Sequence, residues 1–218
     1  MKPLLALTAL ALAIFSSGCS STYYNTLEKF GYAKRDVLVD RVEKAQESQS
    51  AAKEQFADAL EKFLAVTKTD GGDLQRKYSD MSAEFKRSET RAAEVHERIN
   101  AVEDVAEALF SEWKQELKQY SSASLRNESQ RQLDTTRRSY DNVLRLMRRA
   151  AERMDPVLAT FRDQVLFLKH NLNARALASL DSTNRELEAD ISRLIADMET
   201  SIREAESFIK SLQTTDAK

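Results

Sequence analysis

The sequence predicts an all-α protein in which long antiparallel helices form a four-helix coiled-coil-like bundle. The 218 residues include only four Gly and two Pro, so residues that interrupt helices are scarce. Between Leu133 and Leu172, apolar residues recur at alternating steps of four and three for almost six heptads. Such a repeat places a narrow apolar seam along a helix of ~60 Å, which needs partners of similar length.

The strongest seam belongs to the third predicted helix, residues 128–170, which we expect to be kinked near Pro156. The apolar repeat stays in phase from Met154 to Leu158, and this favours a kinked continuous helix over two separate ones. Arg137 is the one polar position in the repeat. Its apolar positions are Leu133, Tyr140, Leu144, Met147, Ala151, Met154, Leu158, Phe161, Val165, Leu168 and Leu172.

The other three helices are predicted at about residues 22–68, 74–120 and 175–213. A Gly-rich turn at residues 69–73 separates the first two, and a Ser-rich turn precedes the third, with Asn127 as its cap. The second helix has a stutter in its seam, at Leu109, Trp113 and Leu117. The seam of the first helix consists of Leu38, Val42, Ala45, Gln49, Ala52, Phe56, Ala59, Phe63 and Val66.

Three turns joining four helices make an up-down-up-down bundle the simplest arrangement. The alternative is a pair of extended hairpins that bury their seams only in a self-associated oligomer. Many seam positions are Ala, which allows close helix approach but buries little area per residue. We therefore expect a thin core in an elongated molecule.

Residues 1–18 have the features of a bacterial export signal of the lipoprotein type. The mostly apolar stretch 4–15 is too short to span a bilayer as a helix. Small residues precede Cys19, the only cysteine, and resemble a lipobox in which the signal is removed and the cysteine acylated. A lipobox usually has Leu where this chain has Ser16, so an ordinary signal cleaved nearby is the alternative. We expect lipidation of Cys19, and Ser20 resembles the residue of lipoproteins sent to the outer membrane.

The mature chain, residues 19–218, is predicted to be a single elongated domain. Its first residues form an irregular aromatic cluster, for which we see two roles. The rings can lie at the membrane surface near the lipid, or they can cover one end of the bundle, which we favour. The cluster consists of Tyr23, Tyr24, Leu27, Phe30 and Tyr32.

An arginine-rich stretch in the third helix is the most conspicuous charge cluster. One interpretation is a site for phosphate, lipopolysaccharide or nucleic acid. The other, which we favour, is pairing with the acidic residues 94–116 of the antiparallel second helix. The net charge of −2 gives no general affinity for nucleic acid, and we expect none to bind. The cluster consists of Arg126, Arg131, Arg137, Arg138, Arg145, Arg148, Arg149 and Arg153.

Few side chains suggest a chemical site. Val165, Leu168, His170 and Asn171 lie in or beside the most apolar run of the mature chain and mark a candidate ligand or partner region, although polar residues that cap a helix end explain the last two equally well. One Cys and two His cannot build an ordinary structural zinc site. No catalytic or cofactor-binding motif stands out, so we expect neither enzyme activity nor a cofactor.

Three segments together carry a family resemblance. They are residues 34–42, residues 108–113 and the stretch from Pro156 to Asn173. They resemble the bacterial family named domain of unknown function 2959, over essentially the whole mature chain. The resemblance implies a proteobacterial envelope protein of helical coiled-coil type, often with a lipobox. It implies no activity and no catalytic residues.

The leading functional hypothesis is a lipid-anchored periplasmic spacer or scaffold that binds another envelope protein or itself. A second hypothesis is a carrier that holds an acyl chain or similar apolar ligand between helices near residues 165–172. A close-packed core around Phe161, Val165 and Leu168 would count against the carrier. The terminal Lys218 also resembles the residue through which an abundant outer-membrane lipoprotein is joined to peptidoglycan.

Overall fold

Five α-helices account for most of the chain in a computed structural model that describes residues 33–67, 73–171 and 174–215. A 3-10 turn, Leu117–Gln119, follows the second helix, and the described residues contain no strand. Residues 1–32, 68–72, 172–173 and 216–218 lie outside the description. The predicted export signal, the start of the first predicted helix, most of the Gly-rich turn and the seam residue Leu172 therefore lie outside it too. The helices are α1 Lys34–Thr67, α2 Leu74–Glu116, α3 Ala123–Glu152, α4 Met154–His170 and α5 Ala174–Thr215.

The helices are arranged in a ring in which α1 contacts α2 and α5, while α3 and α4 together occupy the position opposite α1. Chain neighbours are therefore spatial neighbours, and the topology is up-down-up-down. The predicted all-α bundle of four long helices is confirmed, with α3 and α4 forming the third of them. The four helices enclose one core, so the hairpin alternative is not what a single chain adopts.

The third helix begins earlier than the sequence predicts, at Ala123 instead of residue 128. Ser122 has an extended backbone, and its side chain accepts a hydrogen bond from the Leu125 N–H at 3.4 Å. It therefore satisfies one of the N–H groups that the first helical turn leaves free. Asn127, the expected cap, lies inside the helix.

The third position of the bundle is interrupted at Arg153, three residues before Pro156, where a helix kinked near Pro156 was expected over residues 128–170. Proline has no N–H to donate to the carbonyl of Glu152, four residues earlier, and α3 ends at that residue. The backbone of Arg153 nevertheless remains right-handed helical, with φ −72° and ψ −17°. The seam consequently continues in phase, and Ala151, Met154 and Leu158 are all buried.

The buried seams follow the repeats closely, with two informative differences. All nine expected seam positions of α1 are buried. At the stutter, Leu117 is buried as expected and Phe110 is buried as well, while Leu109 and Trp113 are only partly buried. Along α3 and α4 a second buried row accompanies the expected one, which makes the apolar stripe wider than a strict coiled-coil seam. The second row consists of Val143, Ala150, Val157 and Gln164.

Candidate functional site

The region proposed as a ligand or partner site, at the end of α4, does not form a single site. Val165 and Leu168 are buried in the core, whereas His170 is exposed. Asn171 ends the helix, and its side-chain amide donates to the carbonyl of Phe167 at 2.9 Å. Two of the four residues therefore pack the core, and Asn171 caps the helix.

The same apolar run presents a second face to solvent, which the heptad analysis missed. Leu166 and Phe167 remain 48% and 39% exposed, and a shallow groove of about 330 Å³ lies between Phe167 and Leu180 of α5. The run of four apolar residues at 165–168 already indicates this exposed face. Four consecutive residues cannot all lie on one stripe of a helix.

The core beside this region is filled by aromatic rings. The ring centroid of Phe161 lies 4.3 Å from that of Phe63 and 6.2 Å from that of Phe56. All three side chains have almost no exposed surface. This is the close-packed arrangement that counts against a carrier, because the space between the helices is occupied by side chains at this level.

The arginine-rich stretch meets its partners on two helices. Arg148 forms an ion pair with Glu103 of the acidic stretch in α2, as the charge pattern predicts. Arg149 and Arg153 instead pair with Asp197 of α5, which lies outside the acidic stretch of α2. Arg137 lies over the ring of Phe110, its guanidinium carbon 5.3 Å from the ring centroid. Arg131 pairs with Glu128 of its own helix.

Polar pairs between α2 and the α3–α4 position recur every seven residues in both helices. Three successive pairs join Glu103 to Arg148, His96 to Asp155 and Glu89 to Arg162. The last two pairs have N–O distances of 3.9 and 3.7 Å. Each step of seven towards the start of α2 matches a step of seven towards the end of α4, as a heptad-based antiparallel packing requires.

The other three interfaces of the ring follow the same rule. In each of them two polar pairs are separated by one heptad or by a whole number of heptads. Most of these side chains are substantially exposed, so a pair of exposed groups adds well under ~1 kcal/mol and mainly fixes alignment. Lys34 and Glu84 are the buried exceptions. They are Lys34–Glu112 and Lys62–Glu84 for α1–α2, Gln46–Glu206 and Lys53–Glu199 for α1–α5, and Asn142–Glu204 and Arg149–Asp197 for α3–α5.

A polar network lies inside the core at mid-height. The Gln49 side chain donates to the carbonyl of Met147 at 3.2 Å and accepts a hydrogen bond from the Ser201 hydroxyl at 2.8 Å. Gln49 and Ser201 have no exposed surface. The network therefore joins α1, α3 and α5 through direct hydrogen bonds.

Glu84 of α2 is the one carboxylate in the described part of the chain for which burial coincides with a large pKa shift. Its side chain is 2% exposed. It accepts hydrogen bonds from Gln55 at 2.9 Å, from the Arg87 Nε at 3.1 Å and from Lys62. Burial alone would raise the pKa of Glu84, but the bonds from Arg87, Lys62 and Gln55 outweigh it and hold the pKa at about 2.

We expect the Glu84 cluster to make stability fall in acid. The folded-state pKa of about 2 lies below the ordinary value of 4.5, so the stabilisation is complete above pH 4.5 and is lost as pH falls towards 2. Because Lys62 and Arg87 are half-exposed, solvent screening limits the effect to about 1–2 kcal/mol. Urea unfolding of the wild type and Glu84→Gln, from pH 7 to pH 2, measures it.

The two proteins should differ most at neutral pH and converge as the pH approaches 2. A Glu97→Gln variant is the matched control, since Glu97 is an exposed residue of the same helix. A difference between wild type and Glu84→Gln that stays constant across the whole pH range would contradict the assigned network.

Trp113 lies at the end of the bundle where α1 begins. Its indole N–H donates to the Ser129 hydroxyl at 2.8 Å, and the side chain is half-buried. Beside it a groove of about 320 Å³ is lined by residues from all four positions of the ring, among them Arg35, Gln132 and Leu212. We call this groove the open end. Trp113, a seam position in the sequence, therefore lies at the edge of the core.

The remaining candidate residues lie outside the described part of the chain or do not come together in a site. Cys19 and Lys218 lie beyond residues 33–215, so lipidation and wall linkage stay predictions. Across the described ranges, no group of three His, Cys, Asp or Glu side chains is placed to hold a metal ion. None of the described helices is both long and apolar enough to cross a bilayer.

Comparison with known proteins identifies the family. The sequence pattern of the family described as "Protein of unknown function (DUF2959)" matches residues 23–212. A comparison with curated proteins found no match.

Proposed function

Because this chain belongs to the DUF2959 family, whose description assigns no activity, we propose from its own residues that it is a lipid-anchored structural or interaction protein of the bacterial envelope. It would act as a spacer or scaffold at the periplasmic face of the outer membrane. Its helices would bind another envelope protein or a second copy of the chain.

The architecture of the bundle is the observation that carries the proposal. A 43-residue helix such as α2 is ~65 Å long, and the four long helices run side by side around a core only a few side chains wide. The core at mid-height and around Phe161 is filled by buried side chains. A rod of this kind spans distance and offers long helical faces, which suits a spacer or scaffold.

The amino-terminal sequence supplies the location in this proposal. The export signal expected in residues 1–18 is followed directly by Cys19, which is the only cysteine of the chain. Several acyl chains on one residue give stable membrane attachment where a single chain is marginal. Attachment through Lys218 to peptidoglycan would add a second anchor at the other end of the chain.

The carrier function has less support. It requires an internal cavity between the helices, and the Phe56, Phe63 and Phe161 rings fill the core beside the candidate region. The groove beside Phe167 is open to solvent at the surface. A ligand bound there would leave much of its apolar surface exposed to water, in contrast to most buried ligand sites.

We expect a Cys19→Ala variant to lose membrane attachment almost completely. The measurement is intact-mass analysis of the mature protein from native envelopes, together with its distribution between the membrane and soluble periplasmic fractions. Wild-type protein and the control Ser21→Ala should carry acyl mass and remain with the outer membrane.

An unmodified wild-type protein in the soluble fraction would overturn the anchor and leave a soluble helical interaction protein. Muropeptide mass on Lys218 would establish a wall linker instead. Cross-linking of the anchored protein in intact cells then decides between a heterologous partner and self-association.

A further inference from the structure

The hairpin of α2 and α3 extends beyond the described parts of α1 and α5 at the open end. Lys34, the first residue of α1, forms an ion pair of 2.9 Å with Glu112 of α2. The Arg35 side chain donates to the carbonyl of Leu212, three residues before the last residue of α5. The α2 helix and its 3-10 turn continue for seven residues past Glu112, about 10 Å at helical rise. The connection between α2 and α3 is therefore the outermost described part of the bundle at this end.

The tip of this hairpin, residues 118–127, combines exposed apolar and basic side chains. Tyr120 and Leu125 are 40% and 60% exposed. Lys118 and Arg126 are the two charged residues of the tip, and both are exposed. Nine of the ten tip residues are exposed, so the whole tip is available for contact. An aromatic and an aliphatic side chain thus lie in water beside two cations, and the tip itself contains no carboxylate.

Charge distinguishes the hairpin tip from the exposed apolar pair at the opposite end of the bundle. There, Leu166 and Phe167 lie between the exposed residues Asp163 and Lys169, so charges of both signs flank them. At the hairpin tip the nearest carboxylates lie outside it, and one of them is already held in an ion pair with an arginine of α3. Only the hairpin tip therefore presents apolar side chains together with a net positive charge.

We propose that the hairpin tip contacts the surface of a lipid bilayer, with Tyr120 and Leu125 at the level of the headgroups and Lys118 and Arg126 against lipid phosphates. Tyrosine suits this depth because its ring is apolar and its hydroxyl remains in water. Exposed cations are attracted to anionic headgroups over the same short range. The inference rests on the proposed membrane anchorage and assigns a second contact with the same membrane.

The position of the tip is the reason to name a bilayer as its partner. Fourteen residues separate Cys19 from Lys34, and they span at most ~50 Å even when fully extended. Since α1 begins at the end of the bundle that carries the tip, attachment through Cys19 holds this end near the membrane, where a weak contact gains from a high effective concentration. A second copy is a poorer partner. Two tips without carboxylates repel each other, and two apolar side chains bury far less than the ~1,000 Å² of a stable interface.

Coupling of the mature chain to vesicles tests the contact without relying on acylation in the cell. The thiol of Cys19, the only cysteine, is joined to a maleimide-bearing lipid in vesicles of phosphatidylethanolamine and phosphatidylglycerol. Trp113 is the only tryptophan, so Trp113→Phe/Leu125→Trp carries a single reporter at the tip. Its emission should shift to shorter wavelength and fall by at least about half with nitroxide-labelled phospholipids, because an indole at the interface lies within their reach. Trp113→Phe/Phe167→Trp is the matched control at the opposite end and should show neither change.

A second pair of variants tests the role of charge. Added to the Leu125→Trp reporter, Lys118→Gln/Arg126→Gln should reduce nitroxide quenching at least about twofold, because the attraction to anionic headgroups is lost. Lys169→Gln/Arg185→Gln removes two exposed cations outside the tip and should leave the quenching unchanged. Circular dichroism checks that each variant keeps its helices.

The outcomes separate this proposal from the proposed anchor. Absence of quenching at residue 125, equal quenching at residues 125 and 167, or quenching that survives the loss of both cations would overturn the tip contact. An emission shift at residue 125 that depends on protein concentration and occurs without vesicles would indicate a second copy, and it would overturn the contact too. Absence of acylation at Cys19 in cells would instead overturn the anchor and leave the vesicle result unchanged.

Discussion

Replacing Phe161 by alanine should lower the free energy of unfolding by about 3–5 kcal/mol, the range for removing a buried aromatic side chain. Phe161 has no exposed surface and packs against Phe63 and Phe56 of α1, the helix diagonally opposite. Because these helices are held rigidly by the rest of the ring, the space left by the ring cannot close fully. Urea unfolding at pH 7, followed by circular dichroism, measures the change.

Phe167→Ala is the matched control, since Phe167 is in the same helix and only six residues away. Its side chain is 39% exposed, so its loss should cost less than about 1 kcal/mol. Equal effects of the two substitutions would contradict the burial of Phe161 between α1 and α4. Binding of an added apolar ligand to Phe161→Ala, and not to wild type, would show that the native core leaves no such space.

Replacing Gln49 by alanine should lower the free energy of unfolding by about 2–4 kcal/mol. The substitution removes buried side-chain volume, and it leaves the buried Ser201 hydroxyl without its acceptor. The Gln49 amide bonds both the Met147 carbonyl and the Ser201 hydroxyl in the core. The measurement is again urea unfolding. It should include Gln46→Ala, because Gln46 lies one turn earlier and its amide meets Glu206 at the exposed surface.

A double-mutant cycle separates the hydrogen bond from the packing. Ser201→Ala should cost less in the Gln49→Ala background than in the wild type, because its partner is already absent. Additive effects of the two substitutions would contradict the bond between them. A cost for Gln46→Ala as large as that for Gln49→Ala would contradict the difference in burial.

Most of the fold could be predicted from the heptad repeat, because the repeat identifies the face of each helix that is buried in the core. In α1 every expected seam position is buried, including the polar Gln49. The pattern was less reliable where a single hydrogen bond decides the local structure. Ser122 and Asn127 are both acceptable caps by composition, and only the backbone geometry at Ser122 selects the start of α3. Likewise, a stutter leaves Leu109 and Phe110 as neighbouring candidates, and packing selects Phe110.

The candidate sites were less predictable than the fold, since they depend on contacts between distant parts of the chain. The charge pattern identifies Arg148 as a partner for the acidic stretch of α2, but it gives no reason for Arg149 and Arg153 to share Asp197 of α5. In the sequence, Glu84 is a charged residue off the apolar seam of α2, and such a residue is expected at the surface. Its burial follows only from the approach of Gln55 and Lys62 on α1, 29 and 22 residues earlier in the chain.

The heptad spacing of the polar pairs affects how well the bundle excludes misaligned helix packing. A helix that slid by one heptad would exchange its surface pairs for equivalent ones, so the surface pairs alone give little penalty against the slip. Sliding α1 past α5 in this way would bring Val42 or Phe56 opposite Ser201. Neither side chain can accept a hydrogen bond from the Ser201 hydroxyl, so the slipped arrangement would lose the buried bond between Ser201 and Gln49. The Gln49 amide thus adds its own penalty, beside that of core packing, against the nearest misaligned arrangements.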